Sequence, residues 1–248
     1  MDGEMGCLSL DSWGSQRLRS LAEQLQFYRP PNPLDGVEEE EEEEAAADDR
    51  TRKGFKRRAA VLICLFESEE GELRVILTKR SNRLSSYPGE VALPGGKMEE
   101  GDKDDSATAL REAMEEIGLD PSLVRVVTFL EPFFTKHFLM VVPVVGLLAS
   151  REDFKPILNT DEVDAVFDAP LEMFLEEDGY RSEEREWMDW KYILHLFDFE
   201  SEQGTFLIWG LTASILIRAA SVVYERSPSF KQHLPDFQGV QRACMTLI

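Results

Sequence analysis

Three glutamates lie close together in a segment, residues 95–119, that also contains a glycine-rich turn. Glu112, Glu115 and Glu116 are spaced by three and four residues or are adjacent, so an α-helix would place them on one side. Like charges at this spacing weaken a helix by a few tenths of a kcal/mol per pair. They therefore need a cation or abundant solvent. A divalent metal site is the sharper interpretation, and a solvated helix face is the alternative.

The glycine-rich turn at residues 93–96 favours the metal interpretation. Glycine adopts positive φ without a steric penalty, so the chain can turn sharply there. A bare backbone can also bring a carbonyl oxygen to a hard cation, which prefers oxygen ligands. The segment contains no cysteine or histidine, which argues against zinc. The donor types therefore indicate Mg²⁺ or Mn²⁺.

The helix that carries the glutamates is predicted to run over residues 107–117. Ser106 is the predicted N-cap, and Gly118 stands where a left-handed residue commonly ends a helix. The 3.6-residue period separates an apolar face from the three carboxylates. That predicted apolar face consists of Ala107, Leu110, Ala113, Met114 and Ile117. We expect it to dock on a core while the carboxylates face a cleft.

This segment resembles the Nudix box, whose pattern is G-x5-E-x7-R-E-U-x-E-E-x-G-U with U aliphatic. Residues 111–119 match the second half of the pattern. The first half departs from it, because there is one residue more than the pattern allows between Gly96 and the arginine that opens this stretch. Counting back from that arginine puts Lys103 at the position of the loop glutamate, between Asp102 and Asp104.

A second motif lies upstream and resembles that of coenzyme A diphosphatases in the same family. These enzymes carry L-L-T-x-R-S followed by G-x3-F-P-G-G, and an aspartate at the position of Asp102. Here residues 76–81 read ILTKRS and residues 89–96 read GEVALPGG. The resemblance extends over residues 56–228. It implies an α/β/α sandwich with a mixed sheet between helices, and hydrolysis of coenzyme A or acyl-CoA to 3′,5′-ADP and (acyl-)4′-phosphopantetheine.

The resemblance also implies roles for the residues of the box. Glu112 and Glu116 would hold the main Mg²⁺ or Mn²⁺ together with the Gly96 carbonyl. Glu115 would complete this site or hold a second ion. Arg111 would orient the glutamates, since its planar fork can hold carboxylates. An ordinary surface ion pair is the alternative for this arginine.

A basic cluster follows the predicted strand at residues 73–78 and is the candidate substrate-binding site. Lys79, Arg80 and Arg83, with Ser81 of the upstream motif, are the candidate residues. In so acidic a chain, basic residues beside the metal loop suit phosphate groups. Ordinary surface placement at a strand end is the alternative.

The proton acceptor for the attacking water is not fixed by the pattern. One carboxylate must take this proton, and the candidates are Glu115, Glu131 and Glu162.

Two other functions stay open. The metal box reads a diphosphate rather than what is attached to it, so the substrate could be NADH, ADP-ribose or an oxidised nucleotide. A nucleotide-binding module without catalysis is the remaining alternative, although the complete box argues against it.

Composition fits one catalytic domain with additional segments. The chain has 248 residues, 43% of them hydrophobic, and a formal charge of −21. This charge argues against nonspecific binding to nucleic acid or anionic membranes. The resemblance implies a small nucleoside diphosphate, coenzyme A or acyl-CoA, as the partner. We expect an acidic, largely disordered segment over 1–55 with a short helix at about 15–26, a domain over 56–228 and a tail over 229–248.

The N-terminal residues bear on location. Asp2 and Glu4 are not typical of a transit peptide, which is poor in acidic residues. The expected location is therefore the cytosol. Relatives in the plant group that this chain resembles make mitochondria the alternative.

Hydrophobic patterns predict the remaining elements. The apolar stretch 206–217 is predicted to be a buried helix, because a dozen residues are too few to span a membrane. A short helix is predicted from Pro170 to Leu175. Strands are predicted at 59–66, 73–78, 124–130, 138–148, 164–167 and 191–199.

Overall fold

The computed structural model describes residues 13–30, 57–135, 139–187 and 189–230. The acidic run 38–44 lies outside the described residues, as does nearly all of the predicted tail, so the predicted disorder and domain boundaries stay predictions. The predicted N-terminal helix lies inside them.

The strands of the described residues form two sheets. The first is a mixed sheet in which β1 is parallel to β7 and every other pair is antiparallel. Its order is β3-β2-β1-β7-β5, with β4 beside β1, β6 beside β7 and β8 beside β2. The strands are β1 Arg58–Glu67, β2 Leu73–Arg80, β3 Val91–Ala92, β4 Gly95–Lys97, β5 Val124–Phe129, β6 Phe133–Phe134, β7 Met140–Leu148 and β8 Val163–Pro170. The second sheet has the order β11-β10-β9, with β9 Tyr180–Trp187, β10 Trp190–Ser201 and β11 Gly204–Trp209.

Helices cover both faces of the first sheet. They are α1 Gln16–Gln26, α2 Asp105–Ile117 and α3 Gly210–Tyr224. Side chains alternate along β1 as expected for a strand: Ile63 packs in the core with α1 and α3, whereas Leu62 packs in a second core with α2. This arrangement confirms the predicted α/β/α sandwich with a mixed sheet between helices.

The predicted strands are all present, but the second sheet was only partly predicted. Strand β9 is missing from the prediction because it carries mostly polar, exposed residues. The helix predicted at 206–217 is wrong in its first part. Phe206 and Ile208 are buried while Leu207 is exposed, so these residues form β11 and the helix begins at Gly210. None of the described helices is long and apolar enough to cross a bilayer.

Helix α2 begins earlier than predicted. Its N-cap is Asp104 rather than Ser106, because the Asp104 carboxylate accepts a hydrogen bond from the Ala107 amide at 2.9 Å. A carboxylate at this end also interacts favourably with the helix dipole. The predicted end is confirmed: Gly118 has φ of 71° and follows the last helical residue.

Helix α1 packs into the core shared by α3 and the first sheet. Ser15 caps it by accepting a hydrogen bond from the Leu18 amide at 3.1 Å. Its apolar face is buried, with Leu18 and Leu25 each 1% exposed. Gln24 donates hydrogen bonds to two carbonyls at the end of α3, both at 3.2 Å. The N-terminal helix is therefore part of the folded unit that contains the sheet.

Substitutions on the two faces of α1 test this packing. Leu25→Ala should lower the free energy of unfolding by about 2–5 kcal/mol, as is usual when a buried leucine is truncated. Phe27→Ala, at the end of the same helix, removes a side chain that is 75% exposed and should cost little. Denaturant unfolding of the full chain measures both. Equal, small effects would mean that α1 does not belong to the cooperative unit.

Candidate active site

A cleft of about 1090 Å³ lies between the first sheet and a wall formed by the second sheet and α3. The glycine turn of β4 forms one end of it. On the sheet side it is lined by Arg57, Ala59, Val61, Arg80, Val91, Gly95, Gly96, Lys97 and Val141. The opposite wall includes Tyr192, Ile193, Leu194, Trp209, Leu211 and Ile215. The cleft therefore joins a polar end at the turn to a mostly apolar interior.

The glycine turn lets the sheet and α2 approach each other closely. A Cβ at Gly96 would lie 2.5 Å from the Glu112 carboxyl carbon, and one at Gly95 would lie 2.4 Å from the Ala60 carbonyl oxygen. Gly95 also has φ of +156° and donates its amide to the Glu116 carboxylate at 3.2 Å. A side chain at Gly96 would force the turn away from α2, and one at Gly95 would force it away from β1.

The three box glutamates differ in environment. Glu116 is buried, Glu112 is half-buried and Glu115 is exposed. Burial raises the pKa of Glu116 to about 8 and also raises the pKa of Glu112. The prediction that all three face away from the core is therefore wrong. The buried side of α2 includes Glu116, whereas Met114, which was predicted to be core, is 49% exposed.

Arg111 holds the acidic residues of the site together. Its Nε and Nη2 atoms donate to the two Asp102 carboxylate oxygens, each at 3.0 Å. Its guanidinium also lies 3.1 Å from the Glu112 carboxylate and 2.9 Å from the Glu115 carboxylate. A further bond at 3.1 Å goes to the Lys97 carbonyl in the turn. This fork geometry supports the orienting role expected for Arg111.

Asp102 is a site residue that the predicted set lacked. Hydrogen bonds from Arg111 hold the pKa of this carboxyl well below its usual range. It also accepts bonds from the Thr108 hydroxyl and the Glu99 amide, each at 2.9 Å. Lys103, the position reached by counting along the pattern, is exposed. The sequence feature that could have predicted this role is the aspartate next to Lys103, because the longer loop brings Asp102 to Arg111.

Arg80 is the predicted substrate-binding residue that the structure places in the cleft. Its Nε atom is buried and has no hydrogen-bond partner among the described residues. Burial raises the pKa of Glu116, and the charge of the Arg80 guanidinium partly opposes this rise. Its Nη2 atom makes a long contact of 3.4 Å with the Ser86 carbonyl. A buried donor of this kind is suited to an anionic ligand.

The other three predicted substrate residues are placed elsewhere. Ser81 has no exposed surface, and its hydroxyl is directed to the Thr160 carbonyl at 3.5 Å. The Arg83 side chain is 73% exposed and pairs with Asp161 at 3.2 Å. Lys79 lies near Asp164, where its charge adds to a hydrogen bond from the Asn82 amide in lowering the pKa of the Asp164 carboxyl. None of the three lines the described cleft, because alternation along β2 and the turn after it direct them away.

Glu131 and Glu162, the two loop carboxylates considered as proton acceptors, lie in different environments. Glu131 is bound by Arg218 at 2.5 Å and by the Tyr28 hydroxyl at 3.1 Å. Glu162 is half-buried, and its charge raises the pKa of both Glu112 and Glu116. The structure therefore brings Glu162, not Glu131, to the box glutamates.

The donors fit a hard divalent cation, although they do not form a closed cage. Within the described ranges, no three carboxylate, imidazole or thiol side chains converge on one point. Glu112 and Glu116 nevertheless meet the backbone of the glycine turn, and both carry carboxyls that are poorly solvated. A cation would offset the repulsion and desolvation that raise their pKa values.

Comparisons with known proteins agree with this geometry. The chain is 64% identical over 182 residues to Nudix hydrolase 15, mitochondrial, of Arabidopsis thaliana, covering 73% of this chain and 64% of that protein. It is 54% identical over 240 residues to Nudix hydrolase 22, chloroplastic, of the same species, covering 92% and 80%. It is 41% identical over 163 residues to the peroxisomal coenzyme A diphosphatase NUDT7 of Mus musculus, covering 65% and 68%. The NUDIX domain model matches residues 56–209. With this match and the residues assembled around the glycine turn, the chain belongs to the Nudix hydrolase family.

Proposed function

We propose that this Nudix hydrolase cleaves the diphosphate bond of coenzyme A and acyl-CoA, giving 3′,5′-ADP and (acyl-)4′-phosphopantetheine. The observation that carries the proposal is the cleft, which joins a phosphate-binding end at Arg80 and the glycine turn to an apolar wall. Its volume of about 1090 Å³ far exceeds what a diphosphate needs. The mouse relative named as a coenzyme A diphosphatase supports the same substrate.

Different residues of the site bind the metal ion and the phosphate group. Glu112 and Glu116 would hold Mg²⁺ or Mn²⁺ with the Gly96 carbonyl, and the exposed Glu115 would complete the site or serve a second ion. The ion, when bound, neutralises charge on the diphosphate. Arg80 binds a phosphate oxygen at the glycine-turn end of the cleft. Positioning and charge neutralisation supply most of the acceleration for an already anionic substrate.

Two further residues set up the attack. Arg111, locked by Asp102, fixes the direction in which the glutamates point. Glu162 accepts the proton from the attacking water, because it is the loop carboxylate that acts on Glu112 and Glu116. Glu115 remains the second candidate for this role.

We propose an organellar location in place of the expected cytosolic one. The two plant relatives are named as mitochondrial and chloroplastic proteins. They favour an organelle over the cytosolic location inferred from the acidic N-terminal residues.

Product analysis tests the substrate and the bond together. With Mg²⁺, the protein should convert coenzyme A and acyl-CoA to 3′,5′-ADP faster than it cleaves NADH or ADP-ribose, as measured by mass spectrometry. Glu112→Gln should lower kcat by about 100-fold or more, since it removes a charge that acts in the transition state. Glu152→Gln, an exposed carboxylate outside the site, is the matched control. Faster cleavage of NADH or ADP-ribose would refute the substrate assignment.

The buried carboxylate predicts how stability depends on pH and metal. The pKa of Glu116 rises from 4.5 to about 8 on folding, so the folded state binds the extra proton between these values. Without metal, stability should fall as pH rises through this window. Mg²⁺ binds the deprotonated form, so it should raise Tm more at pH 8 than at pH 6.

Glu116→Gln isolates this effect from the titration of other groups. Thermal unfolding of the variant should show a shallower loss of stability with pH and a smaller rise in Tm with Mg²⁺ than the parent. Glu152→Gln should behave like the parent. An unchanged metal response in Glu116→Gln would contradict the ligand role.

The proton acceptor has its own test. Glu162→Gln should lower kcat by about 100- to 10,000-fold, the usual range for a general base. It should leave KM nearly unchanged. Asp161→Asn changes the neighbouring, 84% exposed carboxylate and is the control. If both variants keep the parent rate, Glu162 is not the base and Glu115 should be tested next.

A further inference from the structure

We propose a second anion subsite in the cleft, formed by Arg57 and Lys97, that binds a monophosphate group carried by the substrate in addition to its diphosphate. The inference rests on the proposed function and deepens it by naming residues that select the substrate. Arg57 lies outside both motifs, and Lys97 occupies a position of the Nudix box for which the pattern specifies no residue.

Strand register places the two side chains on one face. In the β1–β4 pair Ala59 lies opposite Lys97, and Val61 lies opposite Gly95. Arg57 precedes Ala59 by two residues, so it points to the same face. In the β1–β7 pair Ala59 also lies opposite Val141. Arg57, Ala59, Val61, Lys97 and Val141 all line the cleft, as this alternation requires.

The two cations are close enough to bind one group. Arg57 is a diagonal neighbour of Lys97 across the pair, a relation that puts Cβ atoms about 7–8 Å apart. Both side chains are long, so their charged ends can converge on a single phosphate between them. Both residues are exposed at the edge of the cleft, which leaves room for a ligand.

The charge of the cleft is opposite to that of the chain. The protein has 27 basic and 48 acidic residues, whereas the cleft is lined by four basic residues and one acidic residue, Arg57, Arg80, Lys97, Arg185 and Glu90. A random sample of this surface would be acidic. Arg185 pairs with Glu183 at 2.5 Å, which leaves Arg57, Arg80 and Lys97 as the cations that the lining offers to an anionic ligand.

The subsite is distinct from the Arg80 clamp but fixed relative to it. The β3–β4 segment pairs with β2 through β3 and with β1 through β4. It thus lies between Arg80 on β2 and Arg57 next to β1. Arg111 binds the Lys97 carbonyl at 3.1 Å, which ties the subsite to the glutamates of α2.

This arrangement distinguishes among the candidate substrates by chemistry. Coenzyme A carries a phosphate monoester on its ribose beside the diphosphate, whereas NADH and ADP-ribose carry the diphosphate alone. A monoester is close to a dianion at neutral pH, and charge-assisted bonds from an arginine and a lysine suit it. Arg57 and Lys97 are therefore specificity residues for a substrate with a third phosphate.

The test compares coenzyme A with 3′-dephospho-coenzyme A, which differ only in this phosphate. The parent protein should prefer coenzyme A in kcat/KM by about 10- to 100-fold, as expected for charge-assisted contacts. Lys97→Met and Arg57→Gln should each reduce this preference, mainly by raising KM for coenzyme A. The kcat/KM for 3′-dephospho-coenzyme A should stay unchanged. Lys97→Met keeps the backbone carbonyl that Arg111 binds. Lys155→Met, which removes an exposed charge outside the cleft, is the control.

Each outcome separates the two proposals. If the variants keep the parent's preference for coenzyme A, the subsite is refuted while the proposed function stands. If the parent cleaves both compounds equally, there is no third-phosphate subsite. If the parent cleaves neither but cleaves ADP-ribose or NADH, the proposed function itself fails.

Discussion

The contact between α2 and the glycine turn is the constraint on which the site depends. A Cβ at Gly96 would lie 2.5 Å from the Glu112 carboxyl carbon, so the helix can lie this close only because the turn has no side chain there. The same approach lets the Gly95 amide bind the buried Glu116 carboxylate. A single backbone hydrogen bond does not offset the cost of burying that charge, so the site favours either a proton or a cation.

Arg111 resolves a second conflict, between four acidic groups and one small volume. Asp102 accepts both of the arginine's bidentate bonds, so it neutralises most of the cation and leaves Glu112 and Glu115 oriented rather than fully paired. If Arg111 paired with the box glutamates alone, they would have less free charge to offer a metal ion. The longer loop thus supplies a carboxylate that fixes the arginine and keeps the glutamates available.

Sequence patterns predicted the helices and strands better than they predicted which side of each helix or strand is buried. Periodicity predicted the α2 helix and its end at Gly118, but assigning faces by hydrophobicity alone put Met114 inside and Glu116 outside. Glu116 is buried where it meets the Gly95 amide of β4, a contact between separate elements that no local pattern contains. The same limit applies to Arg80, since only the pairing of β2 with β3 places it in the cleft while Arg83 lies outside. Strand β9 was missed because most of its residues are polar and exposed.

The distribution of charge bears on how such a protein recognises a polyanion. A net charge of −21 repels an anionic substrate at long range. At physiological ionic strength this repulsion is screened beyond about 8 Å, so the basic residues of the cleft act only when the substrate is nearly bound. Recognition then depends on contacts made inside the cleft, where each anionic group has its own cations, rather than on attraction toward its mouth. A site of this kind selects substrates by the number and spacing of their phosphates, because a compound that lacks one phosphate loses the charge-assisted bonds to the cations at that position.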